Sequence, residues 1–233
     1  MRSEYLEVNS ELLARSNVLE KYLEANKPNG TCIYVGLGTG TNIPLLLTHF
    51  DQVTIVEPDR QLINRFSLQT IHQRHKTSFI EGKLEDLHCS FYFDSIFLIA
   101  CIEHISDIDK SLLNISRVSK PNSDIILIFN NPLSLHRQLG VATGHINSCF
   151  ELTLEEGPHG HGHYKLYTLE SVLELLASIN FLPVSSFGFY VKPLPTALVP
   201  HLPTSVIQGF MGSFEFLPHE LHAYTFLHAR KSS

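Results

Sequence analysis

Three histidines alternate with two glycines in the segment EEGPHGHGHYKLYT, residues 155–168. In an extended chain His159, His161 and His163 would share one side, which is the arrangement of a metal site. A neutral imidazole near pH 7 can instead remove the proton of a hydroxyl group. In a third interpretation the imidazoles only bond to backbone groups in a glycine-rich turn. No cysteine lies nearby, so we predict no metal here and name His163 as the candidate general base.

A second set of residues lies where a predicted strand turns into a helix. Gly36, Gly38 and Gly40 follow the apolar run TCIYV, and such a turn lets a ligand touch the main chain. Their GxGxG spacing differs from the GxGxxG of dinucleotide-binding turns. Glu57 ends the next predicted strand, seventeen residues after Gly40. A carboxylate at that place can accept hydrogen bonds from both hydroxyls of a ribose.

The elements around these groups must position them, and the apolar pattern predicts an alternation of strands and helices. Strands are expected at 31–36, 52–58, 76–82, 92–101, 123–131, 182–191 and 222–230. Helices are expected at 10–25, 41–50, 59–73, 106–120 and from Thr168 onward. Continuous apolar strands of this kind predict a parallel sheet covered on both faces. Such sheets bind ligands beside the carboxyl ends of their strands, where Gly36 and Glu57 are expected.

The order and spacing of these pieces resemble a class I S-adenosylmethionine-dependent methyltransferase of the small-molecule type (methyltransferase type 11/12-like). The resemblance covers residues 30–131 well, and 160–190 and the last strand more loosely. The segment IEHISD also resembles the EHI or EHV segment common in these enzymes. The resemblance implies a Rossmann-like α/β fold with a seven-stranded sheet in the order 3-2-1-4-5-7-6. The last strand would be antiparallel, and helices would cover both faces.

The resemblance also implies S-adenosyl-L-methionine as cofactor, S-adenosyl-L-homocysteine as product, and a role for each segment. The glycine turn would carry the methionine part, and Glu57 would hold the ribose. The segment after the third strand would border the adenine, and the segment after the fourth would face the sulfonium. The implied cofactor-binding residues are Tyr34, Gly36, Gly38, Gly40, Asn42, Glu57, Pro58, Leu84, Glu85, Ala100 and Cys101.

Two positions depart from the family pattern. Tyr34 replaces the acid that is usual two residues before the first glycine, and Lys83 follows Gly82 where Asp is frequent. The family's acid helps to hold the amino group of the cofactor, so this chain must hold that group differently or more weakly. Tyr34 therefore leaves open a second class of function, a methyltransferase-like binding or partner subunit without turnover. A nicotinamide-dependent oxidoreductase, the third class, is disfavoured by the GxGxG spacing.

The substrate side offers three candidate bases and three candidate binding residues. His163 is the first candidate base, with His104 and His136 behind it. Arg137, on a helix expected to begin near Pro132, can fork an anionic group of the substrate or lie exposed on that helix. The substrate-binding candidates are Arg137, Tyr164 and Tyr167. We expect methyl transfer to an oxygen of a small metabolite, rather than to a nitrogen, catalysed mainly by positioning.

Composition limits the partners of the chain. With 43% hydrophobic and 17% charged residues among 233, the sequence is that of a globular protein. A net charge of −6 argues against a general nucleic-acid binder, which needs a basic surface. No apolar run reaches the length of a membrane span, and the four cysteines form no CxxC pair. We therefore expect a cytoplasmic protein with a small-molecule substrate and without a nucleic-acid or membrane partner.

The chain is expected to form one methyltransferase domain over 1–233. Its expected parts are a helical cap at 1–29, a cofactor half at 30–131, and a substrate half at 132–233 with irregular, lid-like insertions at 132–167 and 193–217. The second insertion is so apolar that it must be covered by the core, by an apolar substrate or by a second copy of the chain. The sequence thus leaves a homodimer open.

Overall fold

The computed structural model describes residues 2–69, 75–152, 162–192 and 217–233 and the single positions 72, 203, 205, 206 and 209, with side chains from residue 11 onward. Its helices and strands, in chain order, are α1 (Arg2–Asn26), β1 (Thr31–Val35), α2 (Ile43–His49), β2 (Gln52–Glu57), α3 (Arg60–Gln69), β3 (Thr77–Glu81), β4 (Phe93–Ile99), α4 (Ile108–Val118), β5 (Ser119–Asn130), α5 (Leu135–Ala142), α6 (Leu169–Ala177), β6 (Phe181–Phe189) and β7 (Tyr224–Lys231). Short 3-10 turns lie at Leu84–Asp86, Ile102–His104 and His219–Leu221.

The seven strands form one sheet in the order β3-β2-β1-β4-β5-β7-β6. The first five strands pair in parallel, and β7 runs antiparallel to both β5 and β6. The predicted strand order and the antiparallel last strand are therefore confirmed. The carboxyl ends of β1, β2, β3 and β4 meet at one edge of the sheet, which is where the predicted cofactor residues begin.

The core has two layers, one on each face of the sheet. Successive residues of β4 point to opposite faces, so Ile96 and Leu98 join one apolar cluster while Phe97 and Ile99 join the other. Both faces are apolar because both are covered, which explains the continuous apolar runs of the central strands. The carboxyl-terminal half of α1 packs on the second cluster through Leu19, Tyr22 and Leu23.

Helices α4 and α6 follow loops near the carboxyl ends of the strands, and each begins at a side chain that caps it. The Asp107 carboxylate accepts the Lys110 N–H at 3.0 Å and starts α4. The Thr168 hydroxyl accepts the Ser171 N–H at 3.2 Å and starts α6. Each bond satisfies an amide that has no partner within its helix, so both loops end at fixed points.

Two expected boundaries were wrong, whereas the helix expected to begin near Pro132 is present as α5. Helix α1 begins at Arg2, well before the expected 10. Strand β5 begins at Ser119 and not at 123, although Pro121 cannot donate to a ladder. The register between β4 and β5 shifts before Asp124, and this irregularity leaves Pro121 without the need for a ladder hydrogen bond.

The structure also bears on the expectations about membrane spans, metal-binding groups and the two insertions. Within the described part of the chain, no helix combines the length and apolar character needed to cross a bilayer. The same residues contain no group of three or more His, Cys, Asp or Glu side chains suited to a metal. His159 and His161 lie outside the described residues, as does most of the apolar insertion 193–217.

Candidate active site

A cavity of about 600 Å³ opens at the carboxyl ends of β1, β2 and β4, a size that suits a small organic cofactor. All residues predicted to bind the cofactor line it, namely Tyr34, Gly36, Gly38, Gly40, Asn42, Glu57, Pro58, Leu84, Glu85, Ala100 and Cys101. His104 also lines the cavity. Helix α1 contributes Leu12, Arg15 and Ser16, of which the apolar pattern indicated only Leu12.

The glycine turn has the backbone that its sequence predicts. Gly36, Gly38 and Gly40 have φ values of +80°, +52° and +73°, which side chains rarely adopt. A Cβ on Gly40 would lie 2.1 Å from the Phe66 ring, so this glycine allows α3 to pack against the turn. A Cβ on Gly38 would meet nothing within 4 Å, because this glycine faces open space. The turn therefore leaves its main chain accessible to a ligand.

The Glu57 carboxylate is buried at the end of β2 and shapes the glycine turn. Its Oε2 accepts the Leu37 N–H at 2.6 Å, and its Oε1 accepts the Asp59 N–H at 2.9 Å. Each oxygen keeps a further lone pair, so the group can still accept hydrogen bonds from two hydroxyls of a ligand. This donor set fits the ribose of the implied cofactor.

Glu85, on the 3-10 turn after β3, is fixed by residues of α4 and of the loop before it. Its Oε1 accepts hydrogen bonds from the Ser106 N–H at 3.0 Å and the Ser106 hydroxyl at 2.8 Å. Burial alone would raise the pKa of Glu85, but these and main-chain hydrogen bonds hold it below its ordinary value. The Asn114 amide also donates to the carbonyls of Leu84 and Glu85, at 2.9 Å each. The wall of the cavity after β3 is therefore rigid.

Tyr34 connects three elements at the other end of the cavity. Its hydroxyl accepts a hydrogen bond from the Asn42 amide at 3.0 Å, and the Asn42 oxygen accepts one from the Ser16 hydroxyl at 2.8 Å. Burial raises the pKa of Tyr34 to about 12, although the Asn42 hydrogen bond opposes it. Tyr34 is therefore a neutral phenol near pH 7, at a position where the family usually carries a charged acid.

The cavity wall after β4 contains a strained residue and a thiol. Ala100 has a φ of +50°, a region that is uncommon for residues other than glycine. Such backbone outliers cluster at ligand sites. Burial raises the pKa of the neighbouring Cys101 thiol well above its ordinary value. A neutral buried thiol is a poor nucleophile, so Cys101 is suited to packing and not to covalent chemistry.

His104 and His163 form a histidine pair beside the cavity. Their ring centroids are 4.7 Å apart, and the ring planes meet at 69°. The Tyr164 N–H donates to the Glu103 carbonyl at 2.7 Å, which joins the loop before α6 to the turn after β4. A Cβ on Gly162 would lie only 3.5 Å from His104 Nδ1. The structure thus brings together two of the three candidate bases.

Glu103, between these elements, is a residue that the sequence did not assign to the site. It is 1% exposed, and its Oε1 accepts hydrogen bonds from the Asn130 N–H at 2.6 Å and the Asn130 amide at 2.8 Å. Its Oε2 has no hydrogen-bond partner among the described residues. Burial raises the pKa of Glu103, which favours its neutral form. Its sequence signal was its place in the segment IEHISD, which resembles the family's EHI segment.

The third candidate base, His136, lies on α5 and does not line the cavity. Burial, followed by the charges of Lys192 and Arg137, lowers the pKa of His136 to about 3, so it stays neutral above that pH. The expectation that Arg137 can lie exposed is wrong, because it is 6% exposed. Its Nε donates to the Cys149 carbonyl at 2.6 Å, and its Nη2 donates to the Glu151 carbonyl. These bonds direct part of the guanidinium to the main chain, and its role toward substrate stays a prediction.

The two candidate tyrosines of the loop before α6 lie in different environments. Tyr164 is 49% exposed, whereas Tyr167 is 3% exposed and belongs to the core. The Lys165 ammonium lies 5.1 Å from the centre of the Tyr167 ring. Burial raises the pKa of Tyr167, so the phenol stays neutral. Of the two, Tyr164 has the accessibility that direct substrate contact needs.

The amino-terminal helix is joined to the sheet by polar contacts near the cavity. Glu11 forms an ion pair with Lys192 at 3.0 Å and accepts a hydrogen bond from the Tyr224 hydroxyl at 2.6 Å. The Arg15 guanidinium lies 5.2 Å from the centre of the Tyr224 ring. Glu11 and Arg15 are four residues apart and so share a helix face, which is the sequence signal that could have identified them.

Comparison with known proteins agrees with this geometry. Residues 33–127 match the family model described as a methyltransferase domain. No curated protein sequence matches the chain. The matched residues contain the glycine turn, the end of β2 and the turn after β4, each of which lines the cavity.

Solved structures share the fold at low sequence identity. An S-adenosylmethionine-dependent methyltransferase from Clostridium acetobutylicum is 14% identical with a TM-score of 0.62, over 94% of this chain and 92% of that one. The N-methyltransferase NodS from Bradyrhizobium japonicum, in complex with S-adenosylhomocysteine, is 12% identical with a TM-score of 0.58, over 99% and 88%. The 1,6-didemethyltoxoflavin-N1-methyltransferase of Burkholderia thailandensis is 17% identical with a TM-score of 0.58, over 94% and 77%.

Proposed function

We propose that this protein, an S-adenosylmethionine-dependent methyltransferase with a class I domain, methylates an oxygen of a small metabolite. The acceptor would be a hydroxyl or a carboxylate. The observation that carries the proposal is the histidine pair, whose rings lie 4.7 Å apart where His104 lines the cavity. Two imidazoles beside the cofactor cavity provide a proton acceptor for a hydroxyl substrate.

The residues of the cavity divide into those that would hold the cofactor and those that would hold the methyl acceptor. Bound S-adenosylmethionine supplies an electrophilic methyl group on a sulfonium. The glycine turn, Glu57 and Glu85 would hold this cofactor by its methionine, ribose and adenine parts. The turn after β4 and the loop before α6 would hold the acceptor in line and exclude water, which accounts for much of the rate enhancement.

Whether the reaction needs a general base depends on the acceptor. When a hydroxyl oxygen forms its bond to the methyl carbon, its proton passes to a neutral imidazole of the histidine pair. The methyl group would come from the sulfonium, whose sulfur would keep the electron pair of the broken bond. A carboxylate acceptor is already ionised at neutral pH and needs no base, so the imidazoles would then only position it.

The first test is a screen of hydroxylated, carboxylated and amino metabolites for release of S-adenosylhomocysteine, followed by NMR of the methylated product. Methylation at oxygen supports the proposal, and methylation at nitrogen contradicts it. For a hydroxyl acceptor, at least one of the variants His163→Ala and His104→Ala is expected to lower kcat by about 10²- to 10⁴-fold. The exposed His145, on the loop after α5, gives the matched control His145→Ala, which should keep full turnover.

A nitrogen acceptor is the second candidate. Two of the similar structures are N-methyltransferases by name, one of them with 1,6-didemethyltoxoflavin bound. An amine acceptor must be neutral to attack, so the histidine pair could serve it as well. The NMR experiment separates the two candidates because the methyl shift and its couplings differ between O-methyl and N-methyl products.

A further inference from the structure

One end of the cofactor cavity carries an arginine and neutral polar side chains. It is lined by Arg15, Ser16, Tyr34, Thr41 and Asn42, and Ser16, Asn42 and Tyr34 are joined by hydrogen bonds of 2.8 and 3.0 Å. None of these five side chains is a carboxylate. The end therefore offers a cation and neutral hydrogen-bonding groups, but no negative charge for a ligand's ammonium.

The other charged groups of the cavity lie elsewhere. Among the described residues, its lining carboxylates are Glu57 at the end of β2 and Glu85 after β3. Glu57 accepts the amides of Leu37 and Asp59, and Glu85 accepts two hydrogen bonds from Ser106. Both acids are thus fixed at the parts of the cavity assigned to ribose and adenine.

Arg15 is positioned but carries no ion pair within the described ranges. Its guanidinium lies 5.2 Å from the centre of the Tyr224 ring. The nearest acid on its own helix is Glu11, whose two oxygens already contact Lys192 at 3.0 Å and Tyr224 at 2.6 Å. A guanidinium held by an aromatic ring keeps donors that can form a fork with a planar anion.

We infer that Arg15 binds the carboxylate of the methionine portion of the cofactor, and that this cavity recognises that carboxylate more strongly than the amino group. The glycine turn, which would carry the methionine part, adjoins Tyr34 and Asn42. Tyr34 is a neutral phenol at the position from which an acid would hold the ammonium, while Arg15 supplies the charge that matches the carboxylate. A carboxylate on the acceptor has the same chemistry, and the experiment below separates the two sources.

The test is calorimetric titration with S-adenosylhomocysteine, its decarboxylated analogue and its deaminated analogue. For the wild type, loss of the carboxylate should weaken binding by about 10- to 100-fold, the range of a hydrogen bond to a charged group. Loss of the amino group should weaken binding by less than loss of the carboxylate does, since no acid among the described residues lines this end of the cavity to pair with the ammonium. Arg15→Gln should bind S-adenosylhomocysteine as weakly as the wild type binds the decarboxylated analogue, and should bind that analogue as the wild type does.

Two further variants keep the result interpretable. Arg15→Lys retains the charge without the fork and should give an intermediate loss. Lys21→Gln alters an exposed charge on the same helix, outside this cavity, and should leave all three affinities unchanged. Thermal unfolding of Arg15→Gln without ligand checks that loss of the Tyr224 contact has not unfolded the protein.

Each alternative outcome has a distinct meaning. If Arg15→Gln weakens all three ligands equally, its role is structural and the inference is wrong. If it weakens none of them, the guanidinium serves the acceptor's carboxylate or no carboxylate, and the inference is also wrong. The inference rests on the cofactor assignment, and failure of the wild type to bind any of the three ligands would overturn that assignment and not merely the role of Arg15.

Discussion

At the residue scale, the site holds two buried glutamates, Glu85 and Glu103, in different hydrogen-bonding environments. Glu85 accepts several hydrogen bonds that keep it ionised, whereas Glu103 accepts bonds from Asn130 on one oxygen only. Two glutamates of the same cavity region therefore have pKa values shifted in opposite directions, because burial outweighs hydrogen bonding only at Glu103. The raised pKa of Glu103 weakens its role as a buried counter-charge for the imidazoles of the histidine pair.

Glu103 predicts a pH dependence of stability. Its folded pKa lies above the ordinary value of 4.5, so the folded protein keeps a proton that the unfolded chain loses. The retained proton contributes to the free energy of unfolding. This stabilisation is fully present below the pKa of the unfolded chain and is lost as pH rises through the pKa of the folded protein. Glu103→Gln, which is neutral at every pH, should therefore gain stability relative to the wild type as pH rises above about 4.5.

Urea unfolding of both proteins between about pH 5 and 8.5 measures this difference. The control is Glu151→Gln on an exposed loop, where hydrogen bonds from the Asn147 main chain and side chain lower the pKa of Glu151. The Glu151 carboxylate stabilises the fold above the pKa that it has in the unfolded chain, which is the opposite dependence. Glu151→Gln should therefore show no gain in stability relative to the wild type as pH rises. A stability difference for Glu103→Gln that stays constant with pH would contradict the raised pKa.

At the element scale, the glycine turn depends on two separate properties of glycine. Gly40 and Gly144 share a φ of +73°, but a Cβ on Gly40 would lie 2.1 Å from Phe66 while one on Gly144 would meet nothing within 4 Å. Gly144→Ala should cost about 1–2 kcal/mol of unfolding free energy for its backbone alone. Gly40→Ala should cost about 1–3 kcal/mol more, because α3 must move away from the turn.

Denaturant unfolding of the two variants tests this comparison directly. Equal losses would mean that Phe66 adjusts without cost and that conformation alone requires glycine at both positions. A larger loss at Gly40, relieved by the second substitution Phe66→Leu, would identify the ring as the cause. This double-variant comparison is interpretable because the two residues are in contact.

The elements that the sequence predicted well are those with a local signal. The central strands have continuous apolar runs, and the strand ends at Gly36 and Glu57 follow from turn chemistry and spacing. By contrast, the early start of β5 depends on its register with β4 and on how Pro121 is accommodated. The polar contacts of Arg15 depend on Tyr224, more than two hundred residues away, so no local pattern could reveal them.

At the scale of the whole molecule, the cavity joins parts that are far apart in the chain. Its lining extends from Leu12 on α1 to Ile105 after β4, and Lys192 and Tyr224 support α1 from the other end of the sequence. A ligand that fills this cavity would therefore contact α1, the glycine turn and the ends of β2 and β4 at once. Because the unfolded chain cannot form such a site, binding must stabilise the fold as a whole.

This linkage predicts the size of the stabilisation. At a concentration 100 times its Kd, S-adenosylhomocysteine should add about 2.7 kcal/mol to the unfolding free energy. For a chain of 233 residues this corresponds to a rise in Tm of about 5–11 °C. Glu57→Ala should lose most of this rise at the same ligand concentration, because we propose that its carboxylate holds the ribose, and because the carboxylate shapes the turn by accepting the Leu37 N–H.

The matched control is Glu81→Ala, since Glu81 is the register partner of Glu57 at the end of β3 but does not line the cavity. It should keep the full ligand-induced rise in Tm. Glu57→Ala should also unfold at a lower temperature than Glu81→Ala without ligand, because it leaves the amides of Leu37 and Asp59 without their acceptor. If Glu57→Ala retained the full rise, its carboxylate would serve the fold alone and the ribose contact would have to come from another lining residue.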